Sequence, residues 1–172
     1  RDLRRCVLRS QIPILLLTSH TEYALKGYEI QAFRFLQKPL EREALHRALA
    51  AVEAQCIRHQ KVVIGQDGRD FYLPVEDILY IKSENVYLSV WIKGSEDYYL
   101  VRKKLREQIE ELPRKLFFQV HRSYIVNLGH VHSYDGEKIL LTDGTKIPVS
   151  RRKRALFQEA MSYYLRDLAS GG

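Results

Sequence analysis

Two groups of cationic and polar side chains lie beside the expected ends of β-strands. Arg122 and Ser123 directly precede the apolar, β-prone run of residues 124–126. Four consecutive cations, residues 151–154, follow Ser150 at a predicted junction between a strand and a helix. Guanidinium groups bind phosphate oxygens and can also contact O6 and N7 of guanine bidentately. The chemistry that these residues suit is therefore the binding of a polyanion rather than a covalent reaction.

The sequence around these cations predicts a β-meander. Residues 117–154 alternate apolar and polar side chains and contain two Asp-Gly pairs, at Asp135 and Asp143. Alternation with period two predicts half-buried strands, and Asp-Gly between strands predicts tight hairpins whose central residues take positive φ. Four cations in the first turn of a helix oppose its dipole, which favours a functional role over a solvated charge run. We therefore expect stiff β loops that bind an anion, and DNA as that anion.

The composition fits an intracellular globular protein with an anionic partner. The chain has 172 residues, and its net charge of +7 favours encounter with polyanions. Cys6 and Cys56 match no metal-ligand spacing and give no disulfide framework, so a cytoplasmic location is expected. The longest apolar run, residues 12–17, contains Pro13 and is too short to span a bilayer, so no membrane segment is expected.

The N-terminal third predicts an incomplete α/β domain. Strands are expected at residues 13–17 and 33–36, and helices at residues 22–28 and 41–57. The apolar face of the second helix is expected to comprise Leu45, Leu49 and Val52. Strand, helix, strand, helix implies a parallel sheet, but two strands cannot form a sheet that is covered on both faces. This part is therefore expected to be a fragment of a larger domain.

From residue 61 onward the pattern becomes mainly β. A helix is expected at residues 102–112 and another at residues 152–168. The residues expected to face the core from the last helix are Leu156, Ala160, Met161, Tyr164 and Leu165. The predicted strands are residues 62–64, 71–73, 78–81, 86–92, 98–101, 119–126, 131–134, 139–142 and 146–149.

Other functional classes have weaker support in the sequence. His130 and His132 share one predicted strand face, which would suit a metal-dependent hydrolase, but a third ligand at a suitable spacing is lacking. Ser123 lies in no nucleophile elbow, and the chain has no phosphate-binding glycine loop, so no catalytic residue, metal or cofactor is expected.

A protein that binds single-stranded DNA or RNA needs exposed aromatic rings, whereas Trp91 fits a half-buried face. A protein-interaction or dimerisation module that uses the helix at residues 41–57 stays open as an alternative.

Three stretches in order resemble the LytTR family of bacterial DNA-binding domains. They are VHRSYIVN (residues 120–127), LTDGTKIPVSR (residues 141–151) and PVEDILYIKSEN (residues 74–85), and the resemblance covers residues 61–166. It implies a mainly β fold that inserts loops into successive major grooves of double-stranded DNA and regulates transcription as a homodimer on promoter repeats. It also implies roles for single residues. The implied base-reading residues are Arg122, Arg151 and Asn85, and the implied phosphate contacts are Ser123, Arg152 and Arg154.

Residues 1–58 resemble the C-terminal half of a response-regulator receiver domain. The resemblance rests on residues 12–19, 22–24 and 32–39. It implies that the Thr18 hydroxyl senses an acyl phosphate, that Phe35 is the switch aromatic and that Lys38 contacts the phosphoryl group. The acceptor aspartate and the Mg²⁺-binding acids belong to the other half of such a domain, so phosphorylation is not expected of this chain. A sensor histidine kinase is implied as the partner of the full-length protein, and residues 167–172 are expected to be a tail.

Overall fold

A computed structural model describes residues 13–19, 33–58 and 60–170. The chain divides into two compact units. One unit comprises residues 58–166, and the other comprises residues 1–57 together with residues 167–172.

The described residues of the N-terminal unit form two parallel strands and one helix. Strand β1 (Leu15–Thr18) pairs in parallel with β2 (Arg34–Gln37), and helix α1 (Arg42–Arg58) follows. The predicted strands and second helix are present, whereas the predicted helix at residues 22–28 lies outside the described residues. Leu49 is 50% exposed, so its assignment to the apolar face of α1 was wrong. Among the residues of that helix whose burial is described, Ala48 and Ala51 are buried, and they are three residues apart and so lie on one face.

The second unit is built mainly from strands, as the sequence predicted. Its helices are α2 (Leu105–Glu111) and α3 (Arg154–Ser170), and short 3₁₀ turns cover Val75–Asp77, Leu128–His130 and Arg151–Lys153. Its strands are β3 (Lys61–Gln66), β4 (Arg69–Pro74), β5 (Ile78–Glu84), β6 (Tyr87–Ile92), β7 (Tyr98–Val101), β8 (Phe117–His121), β9 (Tyr124–Asn127), β10 (Val131–Tyr134), β11 (Lys138–Leu141) and β12 (Lys146–Pro148).

These strands form three antiparallel sheets. Strands β3 and β4 make a hairpin, β10, β11 and β12 make a three-stranded sheet, and the largest sheet has the order β7-β6-β5-β9-β8. The pairs β5–β6 and β8–β9 are hairpins of this five-stranded sheet. The turn of each hairpin therefore joins two hydrogen-bonded strands, which restrict its movement.

The main core joins one face of the five-stranded sheet to the three-stranded sheet and α3. Phe157 of α3 is 1% exposed, and its ring packs edge-on against Tyr134 at 5.0 Å. Leu156 and Leu165 are 49% and 55% exposed, so their placement in the core was wrong. The residues of α3 at the core are Phe157, Ala160, Met161 and Tyr164, whose spacing of three and four residues places them on one face of the helix.

Most predicted elements differ from the structure by a few residues at their ends, and three of these differences bear on the site. Residues 119–126 are not one strand, because the chain turns at Arg122 and Ser123 between β8 and β9. Helix α2 begins at Leu105 rather than at residue 102. Val86 lies in a turn and is 61% exposed, because Asn85 takes φ 56° and closes a two-residue hairpin before β6 begins.

The Asp-Gly turns follow the expected rule only in part. At a further Asp-Gly pair, between β3 and β4, Asp67 and Gly68 both have positive φ, at 53° and 73°. At the Asp135 turn only Gly136 does, with φ 96°. At the Asp143 turn only Gly144 does, with φ 87°. The Asp143 side chain instead accepts the backbone N–H of Thr145 at 2.9 Å, which is the Asx geometry that stabilises such turns locally.

Candidate nucleic-acid interface

Several strand ends meet at one end of the five-stranded sheet. Strand β5 ends there at Glu84, and the turn at Asn85 and Val86 leads into β6. The turn between β8 and β9 lies at the same end, because the backbone N–H of Ser83 donates to the carbonyl of Ser123 at 2.9 Å. We call this the basic end and define it by the turn at residues 85–86, the turn at residues 122–123 and the segment of residues 102–104 that follows β7.

The turn that carries Arg122 is stabilised by hydrogen bonds on both sides. The backbone N–H of Ser123 donates to Nδ1 of His121 at 3.2 Å, and Nε2 of Gln119 donates to the carbonyl of His121 at 3.3 Å. The Arg122 side chain is exposed, and among the described residues it forms no ion pair. Its guanidinium is therefore exposed to solvent on a turn that hydrogen bonds hold in place.

Arg151 is attached to the same strand that leads into this turn. Both the backbone N–H and the hydroxyl of Ser150 donate to the carbonyl of Val120, at 2.9 and 3.2 Å. Arg151 follows Ser150 and Arg122 lies two residues after Val120, so their Cα atoms are no more than about 18 Å apart, taking about 3.8 Å per residue. Arg151 is exposed and begins the 3₁₀ turn Arg151–Lys153.

Asn85 lies at this end as well. It is exposed, and it is two residues from Ser83, which bonds to the turn of Arg122. The structure thus brings together Asn85, Arg122 and Arg151, the three residues that the family resemblance implied as base readers.

The implied phosphate contacts have different surroundings. Ser123 is half-buried in the turn of residues 122–123, and Arg152 is exposed. Nη2 of Arg154 contacts Oε1 of Glu137 at 3.1 Å, so this guanidinium already has a carboxylate partner. The ammonium of the neighbouring Lys153 lies 5.6 Å from the centre of the Phe118 ring, which is a cation–π contact within the domain.

Each end of the five-stranded sheet carries an ion pair between a lysine and a carboxylate. Glu84, at the basic end, is paired with Lys82 at 2.5 Å, and this hydrogen bond raises the pKa of Lys82. At the opposite end Lys93 contacts Asp77 at 2.8 Å, and that hydrogen bond likewise raises the pKa of Lys93. Because Lys82 offsets Glu84, the free charge at the basic end is cationic.

Sequence reasoning missed two cations at this end. Arg102 and Lys104 were placed at the start of a helix, whereas both lie, exposed, in the connection between β7 and α2. The pairing of β7 with β6 would have revealed their position. Val101, the last residue of β7, pairs with Leu88, which is one residue after the start of β6. The chain therefore leaves β7 at the basic end.

His130 makes two polar contacts within the domain. Nε2 of His130 lies 2.7 Å from the carbonyl of Glu76, and Nδ1 lies 3.4 Å from the Thr142 hydroxyl. His130 is in a 3₁₀ turn and His132 is in β10 and exposed. Within residues 13–19, 33–58 and 60–170, no three His, Cys, Asp or Glu side chains are grouped as metal ligands would be. Nor does any helix in these ranges have the length and apolar character to cross a membrane.

Two of the residues for which the receiver resemblance implied roles, Thr18 and Lys38, lie where β1 and β2 end. The backbone N–H of Lys38 donates to the carbonyl of Thr18 at 2.9 Å, so these two strand ends are neighbours. Phe35 is half-buried in β2 and pairs with Leu16.

Comparisons with known proteins agree with the β architecture. Residues 68–162 match the LytTr DNA-binding domain family. A response regulatory protein of Vibrio cholerae is 27% identical over 90% of this chain and 72% of its own length. The transcriptional regulatory protein BtsR of Escherichia coli K12 is 26% identical over 86% of this chain and 67% of its own length.

A solved structure has the same fold. It is a LytTr DNA-binding domain from Bacillus cereus, described as part of a methyl-accepting/DNA response regulator. It superposes with a TM-score of 0.52 at 20% identity and covers 59% of this chain and 96% of its own. The family and the mainly β fold that the sequence predicted are confirmed. The chain therefore belongs to the LytTr DNA-binding domain family.

Proposed function

We propose that this chain recognises specific sequences in duplex DNA through Arg122 and Asn85 at the basic end and through Arg151 beside it. The observation that carries the proposal is the pair of backbone links at this end, Ser150 to Val120 and Ser83 to Ser123, each 2.9 Å long. These links fix the relative positions of three exposed side chains. Arginine at such a position can contact guanine bidentately, and asparagine can contact adenine in the same way.

The spacing of Arg122 and Arg151 favours one local stretch of the duplex. Successive major grooves on one face are about 34 Å apart, whereas the two Cα atoms are within about 18 Å. The two arginines of one domain therefore suit a single major groove, or a major groove and the minor groove beside it. The family resemblance implies insertion of loops into successive major grooves, whereas for these two arginines we propose this shorter reach.

The phosphate contacts are proposed at the borders of this surface. Ser123 lies in the same turn as Arg122, and Arg152 follows Arg151 and has an exposed side chain. Arg154 contributes after exchanging its bond with Glu137 for one with a phosphate oxygen. Such contacts place the protein on the duplex without selecting a sequence.

For the whole protein we propose the output half of a cytoplasmic response regulator that controls transcription without catalysing a reaction. The names of the two relatives support this. Thr18, Phe35 and Lys38 are then parts of a receiver that is completed by residues outside this chain, and a sensor histidine kinase supplies the phosphoryl group. Two copies bind promoter repeats as a homodimer, with half-sites about 10 base pairs apart.

The test is selection of bound duplexes from a random pool by the full 172-residue chain. We expect enrichment of one short motif, and loss of that motif with Arg122→Ala and Arg151→Ala. Enrichment of no motif by the parent, with binding that is equal for all duplexes, would show that the basic end binds DNA without reading it.

A further inference from the structure

The basic end has a third basic element, whose cations have no part in the base-reading and phosphate contacts proposed above. Residues 102–104 connect β7 to α2 and contain Arg102, Lys103 and Lys104. We propose that Arg102 and Lys104 bind backbone phosphates of the same duplex, on the side of the basic end away from Arg151. This inference rests on the proposed function and extends its interface.

The register of the sheet gives the position of this segment. Val101 pairs with Leu88, Leu88 pairs with Ser83, and the N–H of Ser83 donates to the carbonyl of Ser123. Val101 and Ser123 are thus separated by three strand spacings, which is about 14 Å. Arg102 continues beyond Val101 in the direction in which the neighbouring turns project.

This distance matches the geometry of the DNA groove. The major groove is about 12 Å wide and is bordered on each side by a phosphate backbone. When Arg122 enters the groove, a side chain about 14 Å away along the sheet end lies over the border and not over the base edges. A cation at that position meets phosphate oxygens.

Residues 102–104 are held in place by contacts with β7 and with α2. The backbone N–H of Lys103 donates to the carbonyl of Val101 at 3.1 Å, and its ammonium contacts both carboxylate oxygens of Glu111 at 2.6 Å. Leu105, directly after the segment, is 6% exposed. The ion pair with Glu111 offsets the charge of Lys103, so Arg102 and Lys104 are left as the exposed cations of the segment.

The acidic groups nearest this segment have cationic or backbone partners. Glu111 is paired with Lys103, and Glu84 at the end of β5 is paired with Lys82. Oε2 of Glu107 lies 3.4 Å from the backbone N–H of Lys104. Within the described part of the chain, the side chains of Arg102 and Lys104 form no ion pair with these acids.

The test measures the salt dependence of binding to a random-sequence duplex with the full chain. Arg102→Gln and Lys104→Gln should each lower the slope of log K against log salt by about 0.9 and weaken binding roughly eightfold at 0.1 M salt. Arg102→Lys should keep the parental slope, because a point charge suffices for a phosphate. The matched control is Lys93→Gln, which removes one positive charge at the opposite end of the sheet and should leave the slope unchanged.

The outcomes separate this inference from the proposed function. If Arg102→Gln and Lys104→Gln give the same slope as Lys93→Gln while the parent still selects a motif, the phosphate contact is wrong and base reading stands. If the slope falls as expected but no motif is ever selected, the segment binds phosphates and the base-reading proposal fails. Circular dichroism of each variant shows that the β fold is retained.

Discussion

Ser150 and Val120 join the two halves of the proposed interface. The carbonyl of Val120 accepts two hydrogen bonds from Ser150, one from its backbone N–H at 2.9 Å and one from its hydroxyl at 3.2 Å. Arg151 follows the donor and Arg122 lies two residues after the acceptor. The position of one guanidinium relative to the other therefore depends on this contact between β8 and the start of the 3₁₀ turn.

Removing the Ser150 hydroxyl tests that dependence. Ser150→Ala keeps the backbone bond and loses the bond at 3.2 Å, so we expect a loss of about 0.5–1 kcal/mol in binding to the selected duplex. Binding to random duplex and its salt slope should not change, because no cation is lost. The control is Ser162→Ala, whose hydroxyl also donates to a carbonyl but within α3. Equal effects of the two variants would contradict the account.

His121 should position Arg122 by accepting the N–H of Ser123. In His121→Asn the side-chain oxygen can replace Nδ1 as acceptor, so discrimination between selected and random duplex should stay near the parental value. His121→Phe keeps a ring beside Tyr124, which is 5.9 Å away, but leaves the amide without an acceptor, at a cost of about 1 kcal/mol. We expect discrimination to fall roughly fivefold in the Phe variant, measured by competition binding. Equal discrimination by the Asn and Phe variants would show that the acceptor is irrelevant.

Glu137 should limit the contribution of Arg154 to DNA binding. Glu137→Gln releases the guanidinium from its contact at 3.1 Å and removes a negative charge, so affinity for all duplexes should rise alike, roughly two- to fivefold at 0.1 M salt. Arg154→Gln should then cost more in the Glu137→Gln background than in the parent, which a double-mutant cycle measures. Glu96→Gln, an exposed acid in the β6–β7 connection, is the control. Identical costs of Arg154→Gln in both backgrounds would rule out the competition.

Tyr80 should make the stability of the domain fall at high pH. Burial, followed by the negative charge of Asp143, raises the pKa of Tyr80 to about 12, while a hydrogen bond between Tyr80 and the Thr145 side chain opposes the rise. The unfolded state loses this proton near pH 10 and the folded state near 12, so unfolding becomes easier between these values. The parent should lose on the order of 1–2 kcal/mol more than Tyr80→Phe over that interval, measured by urea unfolding. Parallel declines in the two proteins would show that another group causes the change.

The sequence predicted the β architecture because alternation and Asp-Gly turns are local signals. It did not predict the turn at Arg122, because residues 117–127 alternate without a Gly or Pro and so resemble one strand. The partners that make the turn are the His121 ring and the N–H of Ser83, and the second comes from a strand that is distant in sequence. Contacts of that kind cannot be inferred from periodicity.

For the same reason, only some of the residues that we propose for the interface could be selected from the sequence. Arg122 and Arg151 stood out by their types and by the family resemblance. Arg102 and Lys104 did not, because their cationic residue types are also common in helices. Only the pairing of Val101 with Leu88 places them at the basic end.

The central claim is that Arg122 and Arg151 read bases from a common rigid framework. The most direct measurement is the ratio of affinities for the selected and random duplexes, at one salt concentration, for the parent, Arg122→Lys, Arg151→Lys and the Lys93→Gln control. Lysine keeps the charge but cannot form the bidentate contact, so each Arg→Lys variant should lose about 1–3 kcal/mol of discrimination and keep the parental salt slope. The control should match the parent in discrimination. Parental discrimination in both Arg→Lys variants would contradict the claim.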